Sequence, residues 1–271
     1  MKAPPPSRTI HIGIDDTDMP GTPGTNQLAR RLADALPAGF TFELALRHQL
    51  LVDDRVPYTS GNGSASLLVR AAGGHDAAEL LPMLRREMEE WYVDGSDPGL
   101  CLAGQVPAAV VDFGRRCQRE LVTRAEAERI ARASGLVLHG LGGTKGGVIG
   151  ALAAVGLLAS GEDGRVVHAA GWPWPDELAG DRDVAAIRAR GVDLVLDVVS
   201  GAPVHTGVVD VGKHLRPGYR GRRVVLFVEP DGSGGGGAPR GGARADGARA
   251  HDERADGAHA GQRRWRALKL P

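Results

Sequence analysis

The feature that most constrains the fold of this chain is a hydrophobic strand that runs directly into a cluster of carboxylates. Residues 9–13 alternate in the manner of a strand, and Asp15, Asp16 and Asp18 follow within four residues. Carboxylates this close repel one another, and a bound divalent cation is the usual way to hold them together at neutral pH. The sequence therefore predicts a magnesium site at a strand end, with these three aspartates as ligands.

The segment after the acidic cluster indicates which ligand would bind together with such a metal. Residues 21–26 tolerate sharp turns, and the following apolar residues repeat with helical spacing. Thr25 is the expected N-cap of this helix. Backbone amides at a helix start bind phosphate, so we expect a Mg-nucleotide there, with Thr17 and Gly24 among its contacts. Taken alone, the motif is equally typical of an acidic turn that only caps a helix.

A second loop carries an asparagine between two glycines, Gly61, Asn62 and Gly63, at the entrance of an apolar strand. Glycines let the backbone approach a ligand closely, which makes the three residues candidate ATP contacts. Asn-Gly is also a strong hairpin signal, and a simple tight turn explains the same pattern.

A third loop, residues 140–147, is rich in glycine and runs into an uncharged helix at 148–156 built of small apolar residues. Only a helix surrounded by protein has that composition. Lys145, Gly146 and Gly147 would offer positive charge and backbone donors to a phosphoryl group. The order Gly-Lys-Ser/Thr of a P-loop is absent, so this is a different kind of anion site.

Elsewhere the chain alternates strand and helix patterns, which predicts an α/β (α+β) fold in two domains. Thr123 and Glu126 form a capping box before a helix, and a Trp- and Pro-containing linker near 161–180 marks a domain boundary. Residues 231–263 are almost entirely Gly, Ala, Arg and Asp, and we expect them to be disordered. A terminal strand is expected within residues 264–271.

Taken in their order and spacing, these segments resemble the archaeal tRNA-isoleucine agmatidine synthetases, which use ATP to attach agmatine to an anticodon cytidine. The resemblance is carried by residues 13–18, Thr25 with Leu28 and Ala29, Pro57-Tyr58, residues 61–63, Asp97-Pro98-Gly99 and residues 147–156. It implies a kinase-like ATP/Mg domain over residues 8–165 and a ferredoxin-like domain over residues 176–230. It also implies that the acidic loop holds ATP and metal and that Thr25 becomes phosphorylated.

The resemblance implies an ATP-dependent ligase that activates an acceptor by phosphoryl transfer and couples it to an amine. We expect no counterpart of the family's OB-fold and zinc ribbon, which grip tRNA. The two cysteines, Cys101 and Cys117, cannot supply the four ligands of a ribbon. Lys and Arg (33) balance Asp and Glu (33), without the basic excess typical of nucleic-acid binders. We therefore expect an acceptor smaller than tRNA.

The expected location is the cytoplasm, because the sequence has neither a signal peptide nor a membrane-length apolar segment. Two other functions remain open. One is a metal-dependent phosphohydrolase in which Asp16 is the nucleophile and Asp18 the acid/base. The other is a nucleotide sensor that binds ATP without turning it over.

Overall fold

The computed structural model describes residues 7–56, 61–172, 179–231 and 263–268. The chain divides into two compact units. The first comprises the described residues up to Trp172 together with Pro217–Val224, and the second comprises the described residues of Pro173–Arg216 and Val225–Lys269. The mixed α/β class is confirmed, whereas the kinase-like and ferredoxin-like assignments and their bounds stay predictions. Most of the predicted disordered segment, and Pro57-Tyr58 of the family motifs, lie outside the described residues.

The first unit is built on an antiparallel sheet. Its strands in chain order are β1 (Arg8–Asp15), β2 (Phe40–Gln49), β3 (Gly63–Ala71), β4 (Gly99–Ala103), β5 (Val137–Gly140) and β6 (Arg165–Ala169). Their order across the sheet is β5-β4-β1-β3-β2-β6, and every neighbouring pair is antiparallel. β1 therefore lies inside the sheet, and its C-terminal end carries the acidic cluster.

Helices cover both faces of this sheet. They are α1 (Thr25–Asp34), α2 (Leu81–Trp91, after a 3-10 turn at Ala77–Leu80), α3 (Ala108–Cys117), α4 (Arg124–Ala133) and α5 (Val148–Ser160). Side chains alternate along a strand, so β1 sends Ile10, Ile12 and Ile14 into the core formed with α1 and α2. The opposite face packs against α3, α4 and α5. None of the helices described is long and apolar enough to cross a membrane.

The buried position of helix α5 accounts for its uncharged composition of small residues. It is buried from Gly150 to Leu158, as the sequence predicted, and it lies directly on β1. A Cβ placed on Gly13 would lie 2.0 Å from the carbonyl oxygen of Ala151, so only glycine permits this approach. The close packing brings the first turn of α5 next to Asp15, at the end of β1.

The second unit holds β7 (Asp181–Asp183), α6 (Val184–Ala189), β8 (Leu194–Asp197), β9 (Val208–Asp210), most of β11 (Arg223–Pro230) and β12 (Arg264–Ala267). β10 (Gly218–Arg220) belongs to the first unit, where it pairs with β6. β11 pairs in parallel with β8 and antiparallel with β12, while β9 pairs with β12 and β7. β12 falls within the segment expected to form a terminal strand.

Two local features of the second unit depend on strand pairing. The N-cap of α6 is Asp183, whose carboxylate accepts from the Ala185 amide, whereas Asp181 pairs with β9 as part of β7. Strand β9 is short and pairs with β7 and β12. Of the capping box predicted in the first unit, the Thr123 half is confirmed, because the Thr123 hydroxyl accepts from the Glu126 amide, whereas the Glu126 carboxylate accepts from Arg116.

Candidate functional site

The acidic loop begins where β1 leaves the sheet. Asp15 is the last residue of the strand, and Asp16 has a left-handed φ of 50°, which is uncommon for a residue with a side chain. A Cβ on Gly150, in the first turn of α5, would lie 1.8 Å from the Asp15 carboxylate. The Asp15 side chain therefore occupies the space that the missing side chain of Gly150 leaves.

Electrostatics at the loop oppose full ionisation. Burial raises the pKa of Asp15 well above its usual value, and the charges of Asp16 and Asp18 raise it further. Burial, followed by the charges of Asp97 and Asp18, raises the pKa of Asp16 from 3.8 to about 6. Arg47 is the cation that acts against this at Asp15, where its charge lowers the pKa. The loop thus concentrates negative charge that a cation would relieve.

A chain of hydroxyl groups connects the loop to α1. The Thr17 hydroxyl donates to the Thr25 hydroxyl at 3.1 Å, and the Thr25 hydroxyl donates to the Asp18 carboxylate at 3.0 Å. Thr25 is the first residue of α1 rather than its N-cap, which is Gly24. Our N-cap expectation was wrong because the Thr25 oxygen bonds to side chains of the acidic loop instead of to its own helix.

The glycine loop before α5 is organised by a carboxylate, that of Asp97. Its Oδ1 accepts from the Thr144 amide at 2.5 Å, and its Oδ2 accepts from the Thr144 hydroxyl and, at 3.3 Å, from the Gly146 amide. The Gly147 amide donates to the Asp97 carbonyl at 3.1 Å. Two of the amides expected to face a phosphate, those of Gly146 and Gly147, therefore already have an acceptor.

The Gly-Asn-Gly turn lies beside Arg47 and the segment after β2. The Asn62 side-chain amide donates to the Leu51 carbonyl at 2.8 Å, which fixes the turn to its neighbour. A Cβ on Gly63 would lie 2.5 Å from the Arg47 guanidinium. The guanidinium of Arg47, which also acts on Asp15, therefore packs directly against the backbone at this glycine.

These loops surround one cavity of about 210 Å³ within the first unit. A single water needs roughly 10–15 Å³ on the same measure, so the cavity is large enough for an organic ligand. The predicted residues that line it are Asp15, Asp16, Asp18, Thr25, Gly61, Asn62, Gly63, Gly146 and Gly147. Thr17, Gly24 and Lys145 do not line it: Thr17 is buried, and Lys145 is exposed with its side chain over Gly140.

The lining of the cavity is of two chemical kinds. Carboxylates and glycine backbone form its polar part, and its apolar part, the apolar wall, is made of Leu50, Leu51, Val56, Leu121, Val122 and Ile149. Cys117 also lines the cavity, and burial raises the pKa of its thiol to about 12. The pKa of the Cys101 thiol is likewise raised to about 12 by burial. Burial therefore keeps both thiols protonated at neutral pH.

The donor set suits Mg²⁺, which prefers carboxylate oxygens and commonly takes only one or two of them together with water and phosphate. Among the described residues, no three His, Cys, Asp or Glu side chains are placed to hold a metal by themselves. The three predicted ligands nevertheless line the same cavity. They fit a metal shared with a phosphate better than a metal enclosed by protein alone.

Sequence reasoning missed three residues of this site. Asp97 was noticed only as part of a family motif, Glu120 was not considered although it lines the cavity, and Arg47 acts on Asp15 from β2. Asp97 and Glu120 come from turns distant in the sequence, and nothing local distinguishes them from surface carboxylates. Arg47 carried only a weak signal, since it directly follows the apolar residues Leu44, Ala45 and Leu46 in β2 and a cation drawn into a core needs an anion nearby.

The chain is similar to two curated proteins, each named as the 2-agmatinylcytidine synthetase TiaS of an isoleucine tRNA. It is 34% identical to that of Pyrococcus horikoshii over 151 residues and 29% identical to that of Thermococcus sibiricus over 157 residues. Each alignment covers 54% of this chain and 35% of the relative, so the chain spans about a third of the length of these relatives. No protein-family model matches the chain.

A solved structure has a similar fold. The crystal structure of TiaS in complex with an isoleucine tRNA and ATP aligns with a TM-score of 0.51 and 20% sequence identity, covering 65% of this chain and 42% of that chain. The resemblance inferred from the motifs is thus confirmed over about half of the chain, and its extent fits the catalytic domains of the relatives.

Proposed function

We propose that this chain is an ATP-dependent, agmatidine-synthetase-like ligase that binds MgATP in the cavity of its first unit. It would activate an acceptor by phosphoryl transfer and couple it to an amine. The observation that carries this proposal is the Thr25 hydroxyl, which donates to the Asp18 carboxylate inside a cavity lined by further carboxylates. The similarity to the two synthetases supports the same reaction class.

The Thr25–Asp18 pair has the geometry of a nucleophile and its base. A hydroxyl within hydrogen-bond reach of a carboxylate can transfer its proton as it attacks. Attack on the γ-phosphorus would form a bond between the Thr25 oxygen and phosphorus, break the bond to the β-phosphate oxygen and release ADP. The proton would pass to Asp18, and Thr17 would hold the Thr25 oxygen in place through the 3.1 Å hydrogen bond.

Asp15, Asp16 and Asp18 would hold Mg²⁺ together with phosphate oxygens. When bound there, Mg²⁺ would neutralise charge on the phosphates and on the carboxylates that face them. The raised pKa values of Asp15 and Asp16 express the same need for positive charge. Nucleotide and metal are therefore expected to bind together rather than separately.

The apolar wall would receive the adenine base, since flat aromatic ligands bind in largely apolar clefts with a few polar contacts. Leu50, Leu121 and Ile149 lie on this wall. The turn at Gly61, Asn62 and Gly63 would contact the nucleotide between base and phosphates. Thr17, Gly24 and Lys145, which do not line the cavity, stay predicted contacts that would require the loops to move.

The amine and the acceptor are part of the proposal as well. The two curated relatives are named for a tRNA product, and TiaS was crystallised with agmatine and with an isoleucine tRNA. We propose an acceptor smaller than intact tRNA, supported by the formal net charge of zero of this chain. Weak tRNA binding that falls steeply between low and physiological salt would agree, whereas tight binding at physiological salt with agmatine transferred to a cytidine would restore the tRNA substrate.

Incubation with γ-labelled ATP and Mg²⁺, followed by mapping of the label, tests the chemistry. We expect label on Thr25 that resists hydroxylamine and is absent from Thr25→Val. The matched control is Thr22→Val, because Thr22 lies in the same loop but bonds to Met19 rather than to the acidic cluster. Hydroxylamine-labile label on Asp16 would support the phosphohydrolase instead, and ATP binding without label or ADP would support a sensor.

A further inference from the structure

The Asp97 carboxylate fills the position that an anion would take in the glycine loop. Successive amides that converge on one point form a concave anion site, often called a nest. Here the Thr144 and Gly146 amides converge on the two oxygens of one carboxylate, and the Thr144 hydroxyl adds a third donor. The occupant of this nest thus comes from the chain itself.

The backbone of the loop is shaped around this carboxylate. Gly143 has a left-handed φ of 51°, and a Cβ there would lie 1.7 Å from Asp97 Oδ1. The Gly147 amide donates to the Asp97 carbonyl, and the Leu141 amide donates to the Pro98 carbonyl at 2.7 Å. The loop is therefore attached along its length to the turn that carries Asp97.

Asp97 also contacts the acidic loop. A backbone hydrogen bond joins Asp97 to the Asp16 carboxylate, and a Cβ on Gly147 would lie 2.2 Å from the Asp97 carbonyl oxygen and 3.1 Å from that of Asp15. One residue thus touches both the carboxylates proposed to hold the metal and the loop that begins α5. Since Asp15 lies against the first turn of α5, a shift of this loop would also move Asp15.

We propose that Asp97 is a positioning residue that fixes the glycine loop against the acidic loop and stays in place when nucleotide binds. The phosphates would then be bound from the side of the acidic loop, and the amides of Thr144 and Gly146 would not be phosphate donors. This inference rests on the proposed nucleotide site for its effect on binding, but the hydrogen bonds of Asp97 can be tested without nucleotide.

The first test is amide hydrogen exchange of residues 142–147 in the full chain without ligand. Loss of one such hydrogen bond changes protection by about tenfold. We expect protection to fall at least that much in Asp97→Ala and by less in Asp97→Asn, which keeps one acceptor oxygen. Protection should fall least in Thr144→Val, which removes only the hydroxyl donor. This variant also tests the proposal if the Asp97 variants do not fold. Unchanged protection in these variants would overturn the proposal.

The second test is MgATP affinity at a temperature where each variant is folded. A positioning role predicts weaker binding by about tenfold in Asp97→Ala, with partial rescue in Asp97→Asn. The control is Asp94→Asn, an exposed carboxylate of the same turn, which should bind as the parent does. Tighter binding by Asp97→Ala would mean that Asp97 competes with phosphate for the nest, and would contradict us. If the parent chain binds no ATP while the exchange result holds, the proposed function fails and the role of Asp97 in the loop stands.

Discussion

The acidic loop and the glycine loop line the same cavity, yet they handle their polar groups in opposite ways. In the glycine loop the amides of Thr144, Gly146 and Gly147 have acceptors on Asp97. In the acidic loop the carboxylates of Asp15 and Asp16 face like charges, and their pKa values are raised. The amides of the glycine loop have acceptors within the chain, whereas Asp15 and Asp16 of the acidic loop would gain from an added cation.

This difference indicates where binding energy would arise. Groups that already have good partners gain little from a ligand, because each new hydrogen bond replaces an old one. Repelling carboxylates gain much from a cation, since it removes a cost present in the free protein. We therefore attribute ligand recognition to the acidic loop and geometry to the glycine loop.

The largest effect is expected where the two loops meet, at Gly150. Replacement by alanine would favour the helix by roughly 1 kcal/mol, but its Cβ would collide with the Asp15 carboxylate. Overpacking of this kind costs about 1–3 kcal/mol, and displacement of Asp15 should abolish MgATP binding. Chemical denaturation and calorimetry would measure both. Gly104→Ala is the control, because an added Cβ at Gly104 would meet nothing within 4 Å. A stabilised Gly150→Ala variant with normal binding would show that Asp15 does not need its present position.

The next largest effect is the pH dependence of folding stability that the Asp16 carboxylate causes in the metal-free protein. Its pKa is about 6 in the folded chain and 3.8 ordinarily, so the folded state binds the proton more tightly. The resulting stability is present below about pH 4 and is lost as the pH rises through about 6. Asp16→Asn should remove this dependence and raise stability at pH 7 by roughly 1–2 kcal/mol, after a discount for partial exposure.

Urea denaturation of both proteins between pH 4 and 8, in chelator, measures this difference. Asp112→Asn serves as the exposed-carboxylate control, because the Asp112 side chain is 69% exposed. If Asp16→Asn loses stability at pH 7, the carboxylate is satisfied in the free protein and the contrast between the loops disappears.

A smaller effect is expected at Thr17, which connects the acidic loop to Thr25. Thr17→Val keeps the shape of the buried side chain but removes its hydrogen bond, at a cost of about 1 kcal/mol. Phosphoryl transfer should slow because the Thr25 oxygen loses one of its two partners. Thr17→Ser keeps the hydroxyl and should behave as the parent in single-turnover assays. Equal transfer rates in all three proteins would leave Thr17 without a role in orienting Thr25.

The smallest expected effect is protection of the Cys117 thiol from alkylation by bound MgATP. Cys117 lines the cavity, whereas Cys101 is buried in strand β4 away from it, and both thiols have a pKa of about 12. Alkylation at pH 8 should be slow at both, and MgATP should slow it further only at Cys117. Mass spectrometry of the labelled peptides provides the comparison. Protection of Cys101 alone would show that MgATP binds at a site other than this cavity.

The sequence predicted the parts of the site that are local in the chain. The strand, the three carboxylates and the helix after them follow from residues 9–36, because strand alternation, charge repulsion and helical spacing act within one segment. The buried helix α5 was likewise predictable from its uncharged composition. These elements carry their own signals.

The remaining features depend on contacts between distant segments. Thr25 was assigned as an N-cap because the sequence cannot show that the Asp18 carboxylate lies 3.0 Å from its hydroxyl. The sequence likewise cannot show that Asp97, 47 residues from Thr144, is an acceptor for the glycine loop. The short β9 and the cap at Asp183 follow from strand pairing that local propensity does not contain.

The measurement that tests the central claim most directly is ATP binding by calorimetry with Mg²⁺ and with chelator, in the parent chain and in Asp16→Asn. We predict binding in the parent only with Mg²⁺, accompanied by a rise in melting temperature, and loss of most of both in a folded Asp16→Asn variant. ATP binding that is equally strong in chelator, or unchanged by Asp16→Asn, would contradict the assignment of recognition to the acidic loop.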